Sequence, residues 1–86
     1  MNEISSQVKE YILKEFLPGE NPEKLTDTTP LITGGIIDSI GIIKLVTFLE
    51  ERYNIVLAPQ EVDVKNLGTI RDITNLVSAK LTEKPA

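Results

Sequence analysis

Apolar residues recur three and four positions apart in three separate stretches of this 86-residue chain, and no two stretches show the alternation that paired strands require. The spacing predicts helices over about 3–17, 39–53 and 69–81. Their apolar faces are Ile4, Val8, Tyr11, Ile12 and Phe16; Ile42, Leu45, Val46, Leu49 and Tyr53; and Ile70, Ile73, Leu76, Val77 and Leu81. A chain of this size has room for one modest core, so we predict a single all-α domain spanning 1–86.

The segment between the first two helices, 18–38, is predicted to be a long loop. It holds three prolines and three glycines and shows no sustained period. An irregular connection of roughly 20 residues is uncommon in so small a domain and is usually functional. We expect its own apolar residues to pin it to the core, namely Leu25, Leu31, Ile32, Ile36 and Ile37.

The segment after the second helix is predicted to contain one short helix. Ile55–Leu57 looks like a strand but has no partner segment, so we expect an apolar loop packed on the core. A proline-led turn follows, and then a short helix over 64–67, capped by the aspartate before it and closed by the glycine after it. Thr69–Asp72 has the form of a capping box with Asp in place of Glu. The result is a small four-helix bundle with three long helices, one short third helix and a frayed tail over 82–86.

The composition excludes most enzyme chemistry. The chain has no cysteine and no histidine, which removes disulfides, thiolate nucleophiles, the usual general base and the commonest metal ligands. No segment has the alternating acidic ligands of a calcium loop. We therefore expect no catalytic residue and no metal site, and we interpret the chain as a non-enzyme.

The charge and the hydropathy pattern limit the partners. A net charge of −4 argues against a nucleic-acid binder, because such proteins need clustered Lys and Arg. No run of eighteen apolar residues occurs, and the N-terminal residues lack the basic start and apolar stretch of a signal peptide. We expect a cytoplasmic monomer that does not insert into membranes.

The start of the second helix places an acid and a hydroxyl side by side, Asp38 and Ser39. Either side chain can cap the helix by accepting a bond from a free amide of the first turn. Ser39 also stands where unpaired amides and the positive end of the helix dipole favour an anion, so a phosphate esterified to its hydroxyl would be well placed. Both interpretations stay open at this point.

These residues resemble the Asp-Ser-Leu signature and second helix of the acyl carrier proteins. The resemblance rests on Asp38-Ser39-Ile40, Leu45-Val46, Leu49-Glu50-Glu51, Tyr53 and the Thr69–Asp72 opening of the last helix. It extends in order over nearly the whole chain, from the first helix through the long loop to the last helix.

The resemblance implies a covalent cofactor. A phosphopantetheinyl transferase would attach 4′-phosphopantetheine from coenzyme A to the hydroxyl of Ser39, and the terminal thiol of the arm would carry a cargo as a thioester. Asp38 would help to present Ser39 to the transferase and its magnesium ion. A chain without cysteine can hold a thioester only through such an imported thiol.

The exposed side of the second helix is predicted to be the surface that partners recognise. A helical wheel places Ile40, Ile43 and Thr47 away from the core stripe, with Glu50 and Glu51 as a charged rim. Ile43 has the alternative of packing under the long loop. Carrier proteins use the matching positions to meet the transferase and the enzymes that load and unload cargo.

The chain departs from the family in one respect. Carriers of bacterial fatty acid synthesis tend to have acidic residues soon after the signature, where this chain has Gly41 and Lys44. The departure favours a specialised carrier for a lipid or secondary-metabolite pathway, served by an adenylate-forming acyl ligase and an acyltransferase or synthase. An aminoacyl or peptidyl carrier of the nonribosomal type, and an interaction module of carrier shape that is never modified, are the alternatives.

Overall fold

The computed structural model describes residues 3–83, and for Glu83 the backbone only. The described chain is all-helical and contains no strand, which confirms the predicted all-α bundle. Its helices are α1 (Glu3–Phe16), α2 (Ser39–Tyr53), the short α3 (Val64–Leu67) and α4 (Ile70–Glu83), with single 3₁₀ turns at Pro22–Lys24 and Pro59–Glu61. Helix α4 packs against the other three helices. Within residues 3–83 no helix is both long enough and apolar enough to cross a membrane.

Two helix ends differ from the prediction. Helix α1 ends at Phe16, one residue early, because Pro18 has no amide to donate and Gly19 turns the chain at a φ of 83°. Helix α4 begins at Ile70 and continues to Glu83. The prediction of a frayed tail from Thr82 onward is therefore wrong for Thr82 and Glu83, which are helical. The Thr82 hydroxyl donates to the Ser78 carbonyl at 2.9 Å. The rest of the predicted tail lies outside the described residues.

One apolar core joins the helices to the long loop. The side chains buried in it are Val8, Ile12, Leu25, Leu31, Ile37, Leu45, Leu49, Ile55, Leu57, Leu67, Ile70, Ile73 and Val77. Three of the five predicted loop anchors are among them, and the other two, Ile32 and Ile36, pack against this core while half-buried. The loop also bonds to the α3–α4 junction, since the Leu31 amide donates to the Gly68 carbonyl at 2.7 Å.

The face of α2 that is buried differs from the apolar face that the sequence predicts. Leu45 and Leu49 are fully buried as expected, but Ile42, Val46 and Tyr53 are only half-buried. Gly41 takes the additional buried position. The absence of a side chain there lets the α1 residue Phe16 pack directly against the start of α2.

The connection from α2 to α4 is ordered by local hydrogen bonds. Ile55 and Leu57 are buried on either side of the exposed Val56, so this segment is the core-packed loop that the sequence predicts. Asp63 caps α3 through the Asn66 amide. At the start of α4 the Thr69 hydroxyl accepts from the Asp72 amide at 3.1 Å. A complete capping box would also have the Asp72 carboxylate accept the Thr69 amide. Here the Asp72 carboxylate accepts the Thr69 hydroxyl instead, so the predicted capping box forms only in part.

Candidate functional site

Asp38 is the residue that caps α2. Its backbone is extended, and its Oδ1 accepts the amide of Gly41 at 2.7 Å. A cap of this kind stabilises a helix by about 1 kcal/mol. Ser39 is the first helical residue and is exposed, and its hydroxyl has no capping bond among the hydrogen bonds of residues 3–83. The geometry therefore assigns the cap to Asp38 and leaves Ser39 exposed beside it.

The amides around Ser39 form a place for an anion. The first intrahelical bond of α2 is donated by Ile42 to the Asp38 carbonyl. Of the three earlier amides, that of Gly41 is taken by the cap, and the structure gives no partner within residues 3–83 for those of Ser39 and Ile40. A phosphate on the Ser39 oxygen would meet these donors and the positive end of the α2 dipole. The chemistry of the site thus fits a phosphodiester.

The long loop leaves open space around Gly35, shortly before α2. Gly35, four residues upstream of Ser39, has a φ of 81°, and a Cβ placed on it would meet no atom within 4 Å. The positive φ is a conformation that glycine adopts without strain.

The last residue of α1, Phe16, packs against the first turn of α2. A Cβ built on Gly41 would lie 2.7 Å from the ring carbon Cε1 of Phe16 and 3.0 Å from Cγ2 of Ile37. Phe16 is half-buried and Ile37 is fully buried, so neither neighbour is free to move far. Helical periodicity did not reveal this contact, because it joins residues that are 25 positions apart.

The predicted partner surface places three residues on one ridge. Ile40 is 68% exposed and Ile43 is 66% exposed, and Thr47 is exposed one turn further along α2. Ile43 does not pack under the long loop, which was the alternative considered for it. Large aliphatic side chains that are exposed next to one another are typical of a binding surface.

The two glutamates of the predicted rim have different surroundings. Glu51 is exposed, but Glu50 is half-buried, and its Oε2 accepts the Leu57 amide at 2.9 Å. The Glu50 carboxylate therefore holds the loop after α2 in place, a structural task that the sequence analysis missed. No sequence signal points to it, because the bond joins the helix to a loop that follows the left-handed residue Asn54, where φ is 55°.

Two grooves flank the ridge. The groove toward α3 has a volume of about 420 Å³ and is lined by Ile42, Ile43, Val46, Thr47, Pro59 and Val62. The groove toward α1 has a volume of about 410 Å³ and is lined by Tyr11, Glu15, Ile43, Lys44, Thr47, Phe48 and Glu51. One side of the ridge is thus apolar and the other is charged. Residues 3–83 contain no cluster of three or more acidic side chains that could hold a metal ion.

Comparison with known proteins gives the family. No protein-family model matches this chain. A curated relative, the "Probable acyl carrier protein PigG" of Serratia sp. (strain ATCC 39006), is 32% identical over 74 residues, which cover 86% of this chain and 84% of the relative. The chain belongs to the acyl carrier protein family. Members of this family are carriers and not enzymes.

Proposed function

We propose that this carrier protein holds an acyl group as a thioester on a 4′-phosphopantetheine arm attached to Ser39. The observation that carries the proposal is the exposed hydroxyl of Ser39 at the first position of α2, with Asp38 as the cap. The family relationship supports it. The arm supplies the thiol that the cysteine-free chain lacks.

Attachment is a phosphoryl transfer onto the Ser39 oxygen. The hydroxyl attacks the phosphorus of coenzyme A that bears the pantetheine, a new P–O bond forms, and the P–O bond to the adenosine bisphosphate breaks. The hydroxyl proton passes to a base of the transferase. The Ser39 and Ile40 amides, which have no partner within residues 3–83, would favour the negative charge of the phosphodiester. Because the attachment reaction consumes coenzyme A, we propose that the protein is cytoplasmic.

Asp38 has two oxygens for two tasks. Oδ1 is held by the Gly41 amide, and Oδ2 has no hydrogen-bond partner within the described residues. We propose that Oδ2 faces the magnesium ion of the transferase while Oδ1 continues to cap α2. Capping and presentation are then simultaneous, and a variant that keeps one task without the other can separate them.

The pathway we favour is a specialised one, in lipid or secondary metabolism. Lys44 is exposed on the partner side of α2, where an acidic residue would suit a basic partner surface. Gly41 is a different matter, because it is buried against Phe16 and an acidic side chain there would not reach a partner. The partners we propose are the transferase, an adenylate-forming acyl ligase, and an acyltransferase or synthase.

The groove toward α3 is a candidate binding site for an acyl cargo. It begins one turn from Ser39 and is lined by aliphatic side chains of α2 and of the following loop, among them Ile42 and Val62. An aminoacyl cargo would gain less from such a groove, which is why we place the aminoacyl or peptidyl carrier second. Candidate ligases supplied with ATP and radiolabelled fatty, aryl or amino acids distinguish the two. Efficient loading by amino acids alone would reverse the order.

The attachment itself is tested by mass spectrometry. Incubation with coenzyme A and a broad-specificity transferase is expected to add the mass of one arm to the wild-type protein and none to Ser39→Ala. The matched control is Ser6→Ala, at an exposed serine of α1, which should accept the arm as the wild type does. Unchanged mass of the wild type would refute the proposal in favour of an unmodified interaction module. Attachment to Ser39→Ala would refute Ser39 as the attachment site.

A further inference from the structure

One wall of the groove toward α3 is a short segment of the chain, residues 58–62, which we call the strap. It lies between the core-packed loop and α3 and contains a single 3₁₀ turn. Two of its side chains, Pro59 and Val62, line the groove together with Ile42 and Val46 of α2. The width of the groove therefore depends on where the strap is held.

A single carboxylate oxygen in the strap makes two contacts. Oε1 of Glu61 accepts the Ala58 amide at 2.8 Å, and the Glu61 amide donates in return to the Ala58 carbonyl at 2.8 Å. The same Oε1 lies 2.7 Å from the ammonium nitrogen of Lys80, on α4. The first contact closes the strap on itself, and the second ties it to α4. The groove wall is thus fixed to a helix that contributes no side chain to the groove lining.

The ion pair between Glu61 and Lys80 is shielded from water. The Lys80 side chain is 20% exposed and that of Glu61 is 26% exposed. A second ion pair within residues 3–83 joins Lys24 to Glu20 at 3.8 Å, and its side chains are 73% and 51% exposed. Exposed pairs contribute little to holding a structure together, whereas shielded charges keep more of their attraction. The pair at the strap is therefore the one suited to hold an element in place.

We infer that Glu61 and Lys80 are positioning residues for the cargo, because their ion pair holds the strap where it shelters an acyl chain in the groove. The inference rests on the proposed function, since the occupant is the acyl group carried from Ser39. Ile42 and Ile43, which line the groove, follow Ser39 by three and four positions, so a chain tethered at Ser39 begins about one turn away.

Loss of the ion pair frees the strap from α4. The wall that Pro59 and Val62 provide can then move away from α2, and a long acyl chain loses apolar contacts with it. The thioester at the head of that chain spends more time in water, where a nucleophile can reach it. An acetyl group makes no use of the groove beyond its first carbons, so its thioester is expected to be insensitive to the strap.

The test measures how fast hydroxylamine cleaves the thioester of octanoyl and of acetyl arms, loaded from the corresponding acyl-coenzyme A by a broad-specificity transferase. Glu61→Gln keeps an acceptor for the Ala58 amide and removes the charge, and Lys80→Met keeps most of the apolar stem and removes the ammonium. Each is expected to raise the octanoyl rate by roughly three- to tenfold and the acetyl rate by less than about twofold. The double variant should be no faster than either single variant, because both substitutions break one pair.

The matched control is Glu20→Gln, which breaks the exposed ion pair with Lys24 and changes the net charge by the same amount as Glu61→Gln. It is expected to change the octanoyl rate by less than about twofold. Equal acceleration of octanoyl and acetyl cleavage, a Glu61→Gln effect no larger than that of Glu20→Gln, or independent effects in the double variant would each overturn the inference. In those cases the arm is still attached, whereas absence of attachment to the wild type would contradict the proposed function itself.

Discussion

At the scale of single residues, Asp38 decides how Ser39 is presented. Asp38→Ala removes the acceptor of the Gly41 amide and is expected to lower the free energy of unfolding by about 1 kcal/mol. Asp38→Asn keeps an acceptor at that place and should change it by less than about 0.5 kcal/mol. Both variants lose the carboxylate, so we expect both to slow arm attachment by roughly tenfold or more. Urea unfolding and a mass-spectrometric time course measure the two effects. Attachment to Asp38→Asn at the wild-type rate would show that the carboxylate only caps.

At the scale of secondary-structure elements, Gly41 sets how closely α1 approaches the start of α2. Gly41→Ala raises helix propensity by about 1 kcal/mol but places a methyl group 2.7 Å from the Phe16 ring. Overpacking costs roughly 1–3 kcal/mol, so we expect a net loss of about 1 kcal/mol in urea unfolding. The loss should be smaller in a Phe16→Leu background. Thr47→Ala, at an exposed position of the same helix, shows how a gain in helix propensity acts where no overpacking accompanies it. A Gly41→Ala protein that is more stable than the wild type would contradict the contact.

The same elements show what sequence reasoning can reach. The bounds of α2 could be predicted from the sequence, because its cap and its apolar periodicity are local features of the chain. The end of α4 was predicted too early, at Leu81, although the nearest helix breaker in the sequence, Pro85, comes four residues later. The Phe16–Gly41 contact and the bond from the Leu57 amide to Glu50 were not predicted. Both depend on how the chain turns between elements, and helical periodicity carries no information about that.

At the scale of the whole molecule, one ion pair ties the loop before α3 to α4. The Lys80 ammonium lies 2.7 Å from the Glu61 carboxylate, which also accepts the Ala58 amide at 2.8 Å. The hydrogen bond from Lys80, followed by that from Ala58, lowers the pKa of Glu61 below its ordinary value. A carboxylate whose pKa is lower in the folded state stabilises the fold above its unfolded value, about 4.3, and ceases to do so as the pH falls through the folded value.

We therefore expect the difference in free energy of unfolding between wild type and Glu61→Gln to shrink as the pH falls from about 6 to about 3. Urea titrations across this range measure it. Glu23→Gln is the matched control, because Glu23 is exposed and forms no ion pair within the described part of the chain. A difference for Glu61→Gln that is constant with pH would show that the ion pair contributes nothing to the stability of the folded molecule.

The state of Ser39 in the protein isolated from its own host tests the account most directly. Intact-mass and peptide-level mass spectrometry of that material would report the arm and any cargo together. We predict a population that carries a phosphopantetheine arm on the peptide containing Ser39, with an acyl group on part of it. A Ser39 peptide of unmodified mass in every molecule would contradict the central claim.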